Sequence, residues 1–395
     1  MDPKIFYRKL DALLSKISFG KSGKDFIMSI VGEVESTFGK DLHITNGRIY
    51  EEAGNEYILI SSSNPEDIKL KKINAISEPV KMLIKNRSYI YNNKEFTIDE
   101  SVSKNNDHTI PAAFIVRNGE FRYIVIFDLK AGWIRDEIQL CLNAVNASLN
   151  QRLISETIKN ELQQAASIQQ SLLPQNSPDI QGFDIHGRSV AAELVGGDLY
   201  DYFLHEDGRF GFVIGDASGH GIPAALLARD VVTGLRMGVE SHAEITHVLK
   251  KLNRVIYRSV YSTRFISLFY ANIENNGNLF YVNAGHPAPL LIKGNDIQEL
   301  NSTGLIFGAL PEIELQREYA RMEPGSLIVL YTDGIIERTN SAEDEFGIQK
   351  LKDLIIENQH KSAKEINQEI FEVTRKYGNQ DKWFDDATVV VIKRL

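Results

Sequence analysis

Residues 195–221 read VGGDLYDYFLHEDGRFGFVIGDASGHG, and this stretch decides the fold. Its middle is a β-hairpin by composition. Residues 199–205 form one arm, Asp207-Gly208 the turn and residues 210–214 the other arm. Asp198 stands just before the first arm and Asp216 just after the second. Closing the hairpin therefore brings these two acids together at the end opposite the turn. Gly196, Gly197, Gly215, Gly219 and Gly221 crowd that end, where backbone carbonyls and a ligand can come close. Two carboxylates side by side repel unless a cation or a shared proton neutralises them.

Two more stretches are built the same way. Residues 327–331 are an apolar strand ending in Thr332-Asp333-Gly334. Asp385-Asp386 stands directly before residues 387–392, a β-branched strand. Oxygen-only ligands at strand ends suit hard octahedral cations such as Mg²⁺ or Mn²⁺, and no Cys or His cluster competes for a softer metal.

The ordered set V-G-G-D-x-Y-D, D-x-S-G-H-G, N-A-G-H-P, Y-T-D-G and D-D-A-T-x-x-V resembles the PPM metal-dependent serine/threonine phosphatases, in the branch typified by stage II sporulation protein E. Each motif is weak alone; five in order across residues 165–395 are specific. The resemblance implies two divalent cations, Mn²⁺ or Mg²⁺, and a catalytic set of Asp198, Asp216, Asp333 and Asp385. Asp216 would bridge both cations, with the Ala217 carbonyl on one of them. Most of the family has Gly at that position, but only a main-chain oxygen is needed. Asp333 and Asp385 would bind the other cation, and Asp198 would sit near the Ala217 side. Asp201, Asp386 and Gly197 are candidates for support directly behind the ligands. Many relatives carry a phosphate-binding Arg shortly before the first acid. That spacing is not kept, and Arg188, ten residues upstream, is the nearest substitute.

Before this region the chain reads as a sensor. Residues 4–19 and 24–38 have helical apolar periods, and Gly20 stops the first. Strands are expected at 43–51 and 56–61, a short helix at 78–85 and a short strand at 89–91. A polar loop follows over 95–108, then a hairpin of 110–117 and 120–128 across Asn118-Gly119. This α+β order resembles a GAF domain over residues 1–132, with a PAS-like sensor as the alternative. His43 and His108 read as solvated or structural.

Residues 133–174 form the linker. From Trp133 to Leu173 there is neither Gly nor Pro, enough for one helix about 60 Å long. Ile138, Leu142, Val145 and Leu149 space as a coiled-coil seam, continued by Ile158, Leu162, Ala165, Ile168 and Leu172. The expectation is a homodimer through this helix; the alternative is that its halves pack on the two domains. Pro174 ends it, and A-x-x-I-Q-x-x-L-L-P resembles the helix preceding the catalytic domain in this phosphatase branch.

Residues 175–395 then hold the catalytic unit. Helices are expected at 222–237 and 243–261, three strands between 264 and 293, and helices at 351–356 and 366–377. The expected fold is α+β: a two-sheet sandwich with helices outside, the α-β-β-α arrangement the resemblance also implies. His286 in N-A-G-H-P reads as a turn residue with its imidazole bonded to the backbone, and His220 as structural.

Composition sets the remaining bounds. Lys plus Arg is 44 and Asp plus Glu is 53, giving a formal charge of −9. That argues against nucleic-acid or anionic-membrane partners. The single Cys141 excludes an internal disulfide, fits a reducing compartment and lies in an apolar helical stripe. The N-terminus is no signal peptide, and no run approaches the ~18 apolar residues of a membrane span. The expectation is a cytoplasmic, sensor-regulated phosphatase acting on phosphoserine or phosphothreonine. The resemblance implies a STAS-type anti-anti-sigma substrate in a partner-switching stress pathway. A small molecule or protein would signal at the sensor. The competing reading is a pseudophosphatase that binds a phosphoprotein without turnover.

Overall fold

The computed structural model describes residues 3–19, 24–65, 70–93, 96–99, 109–118, 121–205, 208–239, 244–259, 264–379 and 382–395. Gly20, His108 and most of the 95–108 loop, Gly119 and Asp207 of the two expected turns, and residues 243, 260 and 261 of an expected helix lie outside them. The chain divides into two compact units, Met1–Glu161 and Leu162–Leu395.

In the first unit, β1 (Ile44–Ala53), β2 (Glu56–Ser62), β3 (Lys72–Asn74), β4 (Ser88–Ile90), β5 (Ile110–Asn118) and β6 (Phe121–Leu129) form an antiparallel sheet in the order β3-β2-β1-β6-β5-β4. Alternation along these strands gives the sheet two apolar faces. One face packs α1 (Pro3–Phe19), α2 (Lys24–Phe38) and the start of α4 (Arg135–Gln170). The other buries Tyr50, Tyr57 and Tyr91 with Val80 and Leu83 of α3 (Glu78–Asn86). Arg48 and Asp128 are joined there by two hydrogen bonds of 3.0 and 2.7 Å, with Asp99 3.3 Å from the same guanidinium.

The expected seam needs correction over its first half. Ile138, Leu142, Val145 and Leu149 are core residues, each at most 1% exposed, and Cys141 lies among them at 0%. They already cover the sheet, so they cannot also face a second chain. Burial pushes the Cys141 thiol up to about 12, leaving it an inert small hydrophobe. Beyond Leu153 the exposed large apolar residues of α4 are Ile154, Ile158 and Ile168; of the other expected seam residues there, Ala165 is exposed and Leu162 half-buried.

The second unit is a double sheet. One sheet orders β14 (Glu318–Arg321), β11 (Asn278–Ala284), β10 (Ile266–Ile273), β9 (Phe210–Ala217) and β8 (Asp198–Leu204). The other orders β13 (Asp296–Glu299), β12 (Leu290–Lys293), β15 (Leu327–Tyr331), β16 (Ala387–Arg394) and β7 (Phe183–Val190). Phe210, Phe212, Ile214, Phe269 and Ala271 of the first sheet meet Ile328, Leu330, Val390 and Ile392 of the second in the central core. The opposite faces are covered by α5 (Ile222–Val239) and α6 (Ile245–Ser259) on one side. On the other side lie α8 (Gly347–Asn358) and α9 (Ala363–Tyr377). A four-residue turn of helix, α7 (Asp333–Ile336), follows β15 directly.

Candidate active site

The β8–β9 register places Asp198 directly opposite Asp216, as the hairpin reading requires. Phe210, Phe212 and Ile214 face the inter-sheet core, so period-2 alternation turns Asp216 toward the same side, at the end of the sandwich. Asp333 opens α7 at the end of β15, and Asp385-Asp386 precedes β16, the neighbour of β15. The four acidic strand ends therefore converge from both sheets.

Gly334 makes that convergence possible. A Cβ there would lie 2.1 Å from the Asp386 carbonyl oxygen, so only glycine lets the Asp333 turn approach the 385–386 backbone. Gly334→Ala should therefore cost the phosphatase unit at least about 2 kcal/mol, read from denaturant midpoints. An unchanged midpoint would show that the turn has room to spare.

The carboxylates are held in different ways. Asp198 is 2% exposed, and its Oδ2 accepts from Thr332 Oγ1 at 2.8 Å and Thr388 Oγ1 at 2.6 Å. Its Oδ1 has no hydrogen-bond partner. Asp386 accepts from the backbone N–H of Ala192 at 2.8 Å and from that of Gly197, so it fastens the glycine-rich approach to Asp198. A Cβ on Gly197 would lie 2.8 Å from the Ala217 carbonyl oxygen. That oxygen is thus approached only because position 197 has no side chain.

Burial and mutual repulsion load the cluster. The Asp198 carboxyl is held well above the ordinary carboxylate range by burial and then by Asp216. The Asp216 carboxyl is pushed up to about 7 by burial, then by Asp333, Asp385, Asp386 and Glu337. Burial, then Asp385 and Glu337, push Asp333 up to about 6. Among the described residues no group of three or more His, Cys, Asp or Glu side chains is arranged to hold a metal ion by itself. Carboxylate pairs, the Ala217 carbonyl and an orphaned Asp198 oxygen nevertheless form a hard oxygen donor set. Such a set suits a divalent cation that keeps several waters.

Two expectations are corrected. Arg188 lies on the face of β7 turned to α9, with its guanidinium 4.4 Å from the Phe371 ring centroid. Neighbouring Ile185 and Gly187 take the inward face, which leaves Arg188 none of the acids to serve. Asp201 stands on the α5 face of β8. Its Oδ2 lies 2.7 Å from Arg236 Nε, and Arg236 also donates to the Leu172 carbonyl at 2.8 Å. It ties α5 to the end of α4 instead of backing the acids. His286 is buried as a turn residue, with its Nδ1 2.9 Å from the Ser267 hydroxyl and the Tyr331 backbone carbonyl as a further partner of its ring. His220 is 78% exposed and pairs with Glu193 at 3.1 Å.

Several partners of the acids were in the motifs yet unassigned. Thr332 and Thr388 belong to Y-T-D-G and D-D-A-T, but only folding aims both at Asp198. Glu337 lies four residues after Asp333, one helical turn on, and that spacing was a usable signal. Arg338 is 2% exposed, donates to the Lys382 carbonyl at 2.7 Å and lies over the Trp383 and Phe384 rings, so it steadies the segment leading into Asp385.

Carboxylates gathered at one end of a helix-flanked double sheet define a class, the PPM-type phosphatase sandwich. The SiaA PP2C domain of Pseudomonas aeruginosa shares this fold, with a TM-score of 0.55 and 19% identity over 61% of this chain and 98% of that domain. Residues 206–395 match the family model described as stage II sporulation protein E. The phosphoserine phosphatase RsbU of Bacillus subtilis is 34% identical over 249 residues, 62% of this chain and 72% of the relative. The phosphoserine phosphatase RsbP of the same organism is 28% identical over 46% of this chain. The chain spans 47% of RsbP and 50% of protein IcfG from Synechocystis, another relative. This chain belongs to the stage II sporulation E-type branch of the PPM phosphatases.

Proposed function

We propose that this protein is a serine/threonine phosphatase that removes phosphate from phosphoserine or phosphothreonine on a partner protein, using two divalent cations held by its strand-end acids. The observation that carries the reading is the opposed pair Asp198–Asp216, met by Asp333 and Asp385 from the second sheet. Asp216, the Ala217 carbonyl, Asp333, Asp385 and Asp198 would hold Mn²⁺ or Mg²⁺. Cations bound there would acidify a coordinated water and offset charge building on the phosphoryl oxygens.

The chain's own groups prepare that chemistry. Thr332 and Thr388 take one oxygen of Asp198 and leave the other free to accept from water. Asp386 holds the Gly197 turn against the Ala217 carbonyl. Without cations the acids would repel a phosphate dianion. The names of RsbU and RsbP, phosphoserine phosphatases, support a phosphoserine substrate. A STAS-type partner fits that reading. Release of phosphate from an aryl phosphate in Mn²⁺, by the full chain and by a truncation starting near Ile168, tests it. No turnover by either form would leave a phosphoprotein-binding module instead.

The N-terminal unit serves in this reading as a GAF-like sensor on residues 1–132, joined through the helical linker 133–174 to the phosphatase on 175–395. Two features support a regulatory helix. Its exposed Ile154 and Ile158 have no place in the N-terminal core, and a second copy of this chain would cover them. Its far end is tied into the phosphatase unit: Arg236 bonds the Leu172 carbonyl, Tyr200 donates to the Pro174 carbonyl at 3.3 Å, and Ala166 packs on Val195 and Ala225. Replacing Ile154 and Ile158 with Asp should abolish dimerisation in light scattering and change the phosphatase rate several-fold. A dimer with unchanged rate would make the helix a passive tether.

A further inference from the structure

His286 lies where the two sheets approach the acids, and its side chain has no part in the mechanism above. It is 4% exposed, and its backbone is locked by Asn283. The His286 N–H donates to Asn283 Oδ1 at 2.9 Å, and Asn283 Nδ2 donates to the His286 carbonyl at 3.1 Å. The ring spans the gap between sheets. Its Nδ1 lies 2.9 Å from Ser267 Oγ on β10. The Tyr331 backbone carbonyl on β15 is a partner of the ring, and with Nδ1 at Ser267, Nε2 is the nitrogen left to serve it.

These contacts settle the direction of the Ser267 hydroxyl. Burial without an acidic partner keeps the imidazole neutral, so it carries one N–H. A bare Nε2 lone pair facing a buried carbonyl would be repelled, so the proton belongs on Nε2. Nδ1 is then the acceptor, and Ser267 must donate its only hydroxyl proton to it. The Ser267 oxygen keeps lone pairs and has no proton left to offer.

The β9–β10 register sets Ser267 directly opposite Asp216. Phe269 and Ala271 of β10 and Ile214 of β9 share the inter-sheet core, so both side chains project from the same face. Directly opposed residues have Cβ atoms about 4.5–5.5 Å apart. A serine donating to Asp216 would draw off the charge that carboxylate is there to supply. A serine turned the other way offers an acceptor beside it. We propose that Ser267, held in this orientation by His286, accepts a hydrogen bond from the attacking water and so aims that water's lone pair at phosphorus. Ser267 would touch the reacting water; His286 is a positioning residue. This rests on the phosphatase reading above.

The test uses the full chain in saturating Mn²⁺ with an aryl phosphate. Ser267→Ala should lower kcat about tenfold and leave KM within about twofold, the loss of one oriented hydrogen bond in the transition state. Ser267→Thr keeps the hydroxyl and should recover most of the rate. His286→Ala should fall as far as Ser267→Ala, and the double variant no further, since the two act through one hydrogen bond. Mn²⁺ affinity by calorimetry and the melting temperature of Ser267→Ala should match the wild type. An unchanged kcat in Ser267→Ala overturns the proposal. So does a loss of Mn²⁺ affinity or melting temperature that accounts for the lost rate, or additive losses in the double variant. A wild type without turnover removes the phosphatase reading itself, and this proposal with it.

Discussion

Asp216→Asn is expected to lower phosphatase turnover at least about a hundredfold while the domain stays folded. Asp216 is loaded by four other acids, Asp333, Asp385, Asp386 and Glu337, and it faces Asp198 across the hairpin. It is the point through which the acids of both sheets act on one another. Removing its charge weakens a site that, in the proposed reading, holds about four positive charges, and lost charge stabilisation in such sites costs orders of magnitude in rate. Asn has the same shape, so packing is preserved. In the absence of cations the variant should melt no lower than the wild type, because a repulsive buried charge is gone. Asp333→Asn should behave alike, because its carboxyl is loaded by Asp385 and Glu337. If both variants keep more than about a tenth of the wild-type rate in saturating cation, these aspartates do not form the catalytic centre.

The hairpin was legible because its signal is local. A turn midway between the two acids fixes the register, and register alone puts Asp198 opposite Asp216. The strand-end acids 333 and 385 were legible for the same reason, since Asp333 follows one short apolar run and Asp385 precedes another. What stayed hidden depends on facing. Asp198 and Asp201 are three residues apart on one strand and therefore on opposite faces, and Arg236, which claims Asp201, is 35 residues away. Arg188 was near the first acid in sequence, but parity on β7 turns it to Phe371. The α4 stripe shows the same limit. Its 4-3-4 spacing is genuine, yet spacing reports an apolar face and not what covers it. The chain's own sheet covers Ile138 to Leu149. His286 and Ser267 are 19 residues apart, and the β10–β11 register, with Leu268 opposite Ala284, brings them together, but which atoms they exchange shows only in the fold.

Protons and cations should compete for this site, and the competition has a definite sign. The Asp216 carboxyl is pushed up to about 7 and that of Asp333 to about 6, against an ordinary value of 3.8 in the unfolded chain. Between those limits the native state holds protons that the unfolded state has released. Stability rises with pH only where the unfolded chain binds more protons, so here it must fall. The cation-free protein should be most stable near the acid end of this window and lose stability as pH rises through 5 to 7, when the buried carboxylates ionise against each other. Divalent cations need those carboxylates ionised, so their affinity should rise through the same window with release of protons. Cation at a hundred times its Kd adds about 2.7 kcal/mol, a shift of about 5–11 °C in melting temperature. Added Mn²⁺ should therefore raise the melting temperature of the phosphatase unit clearly at pH 7.5 and hardly at pH 5. Turnover should need Mn²⁺ or Mg²⁺, vanish in chelator and climb from pH 5.5 to 7.5. Melting curves of the full chain in chelator and in Mn²⁺ across this range, with rates measured alongside, decide the matter. A cation-free melting temperature that rises from pH 5 to 7 would contradict the repulsion assigned to Asp216 and Asp333. Full turnover in excess chelator after dialysis would point to hydrolysis that runs without cations.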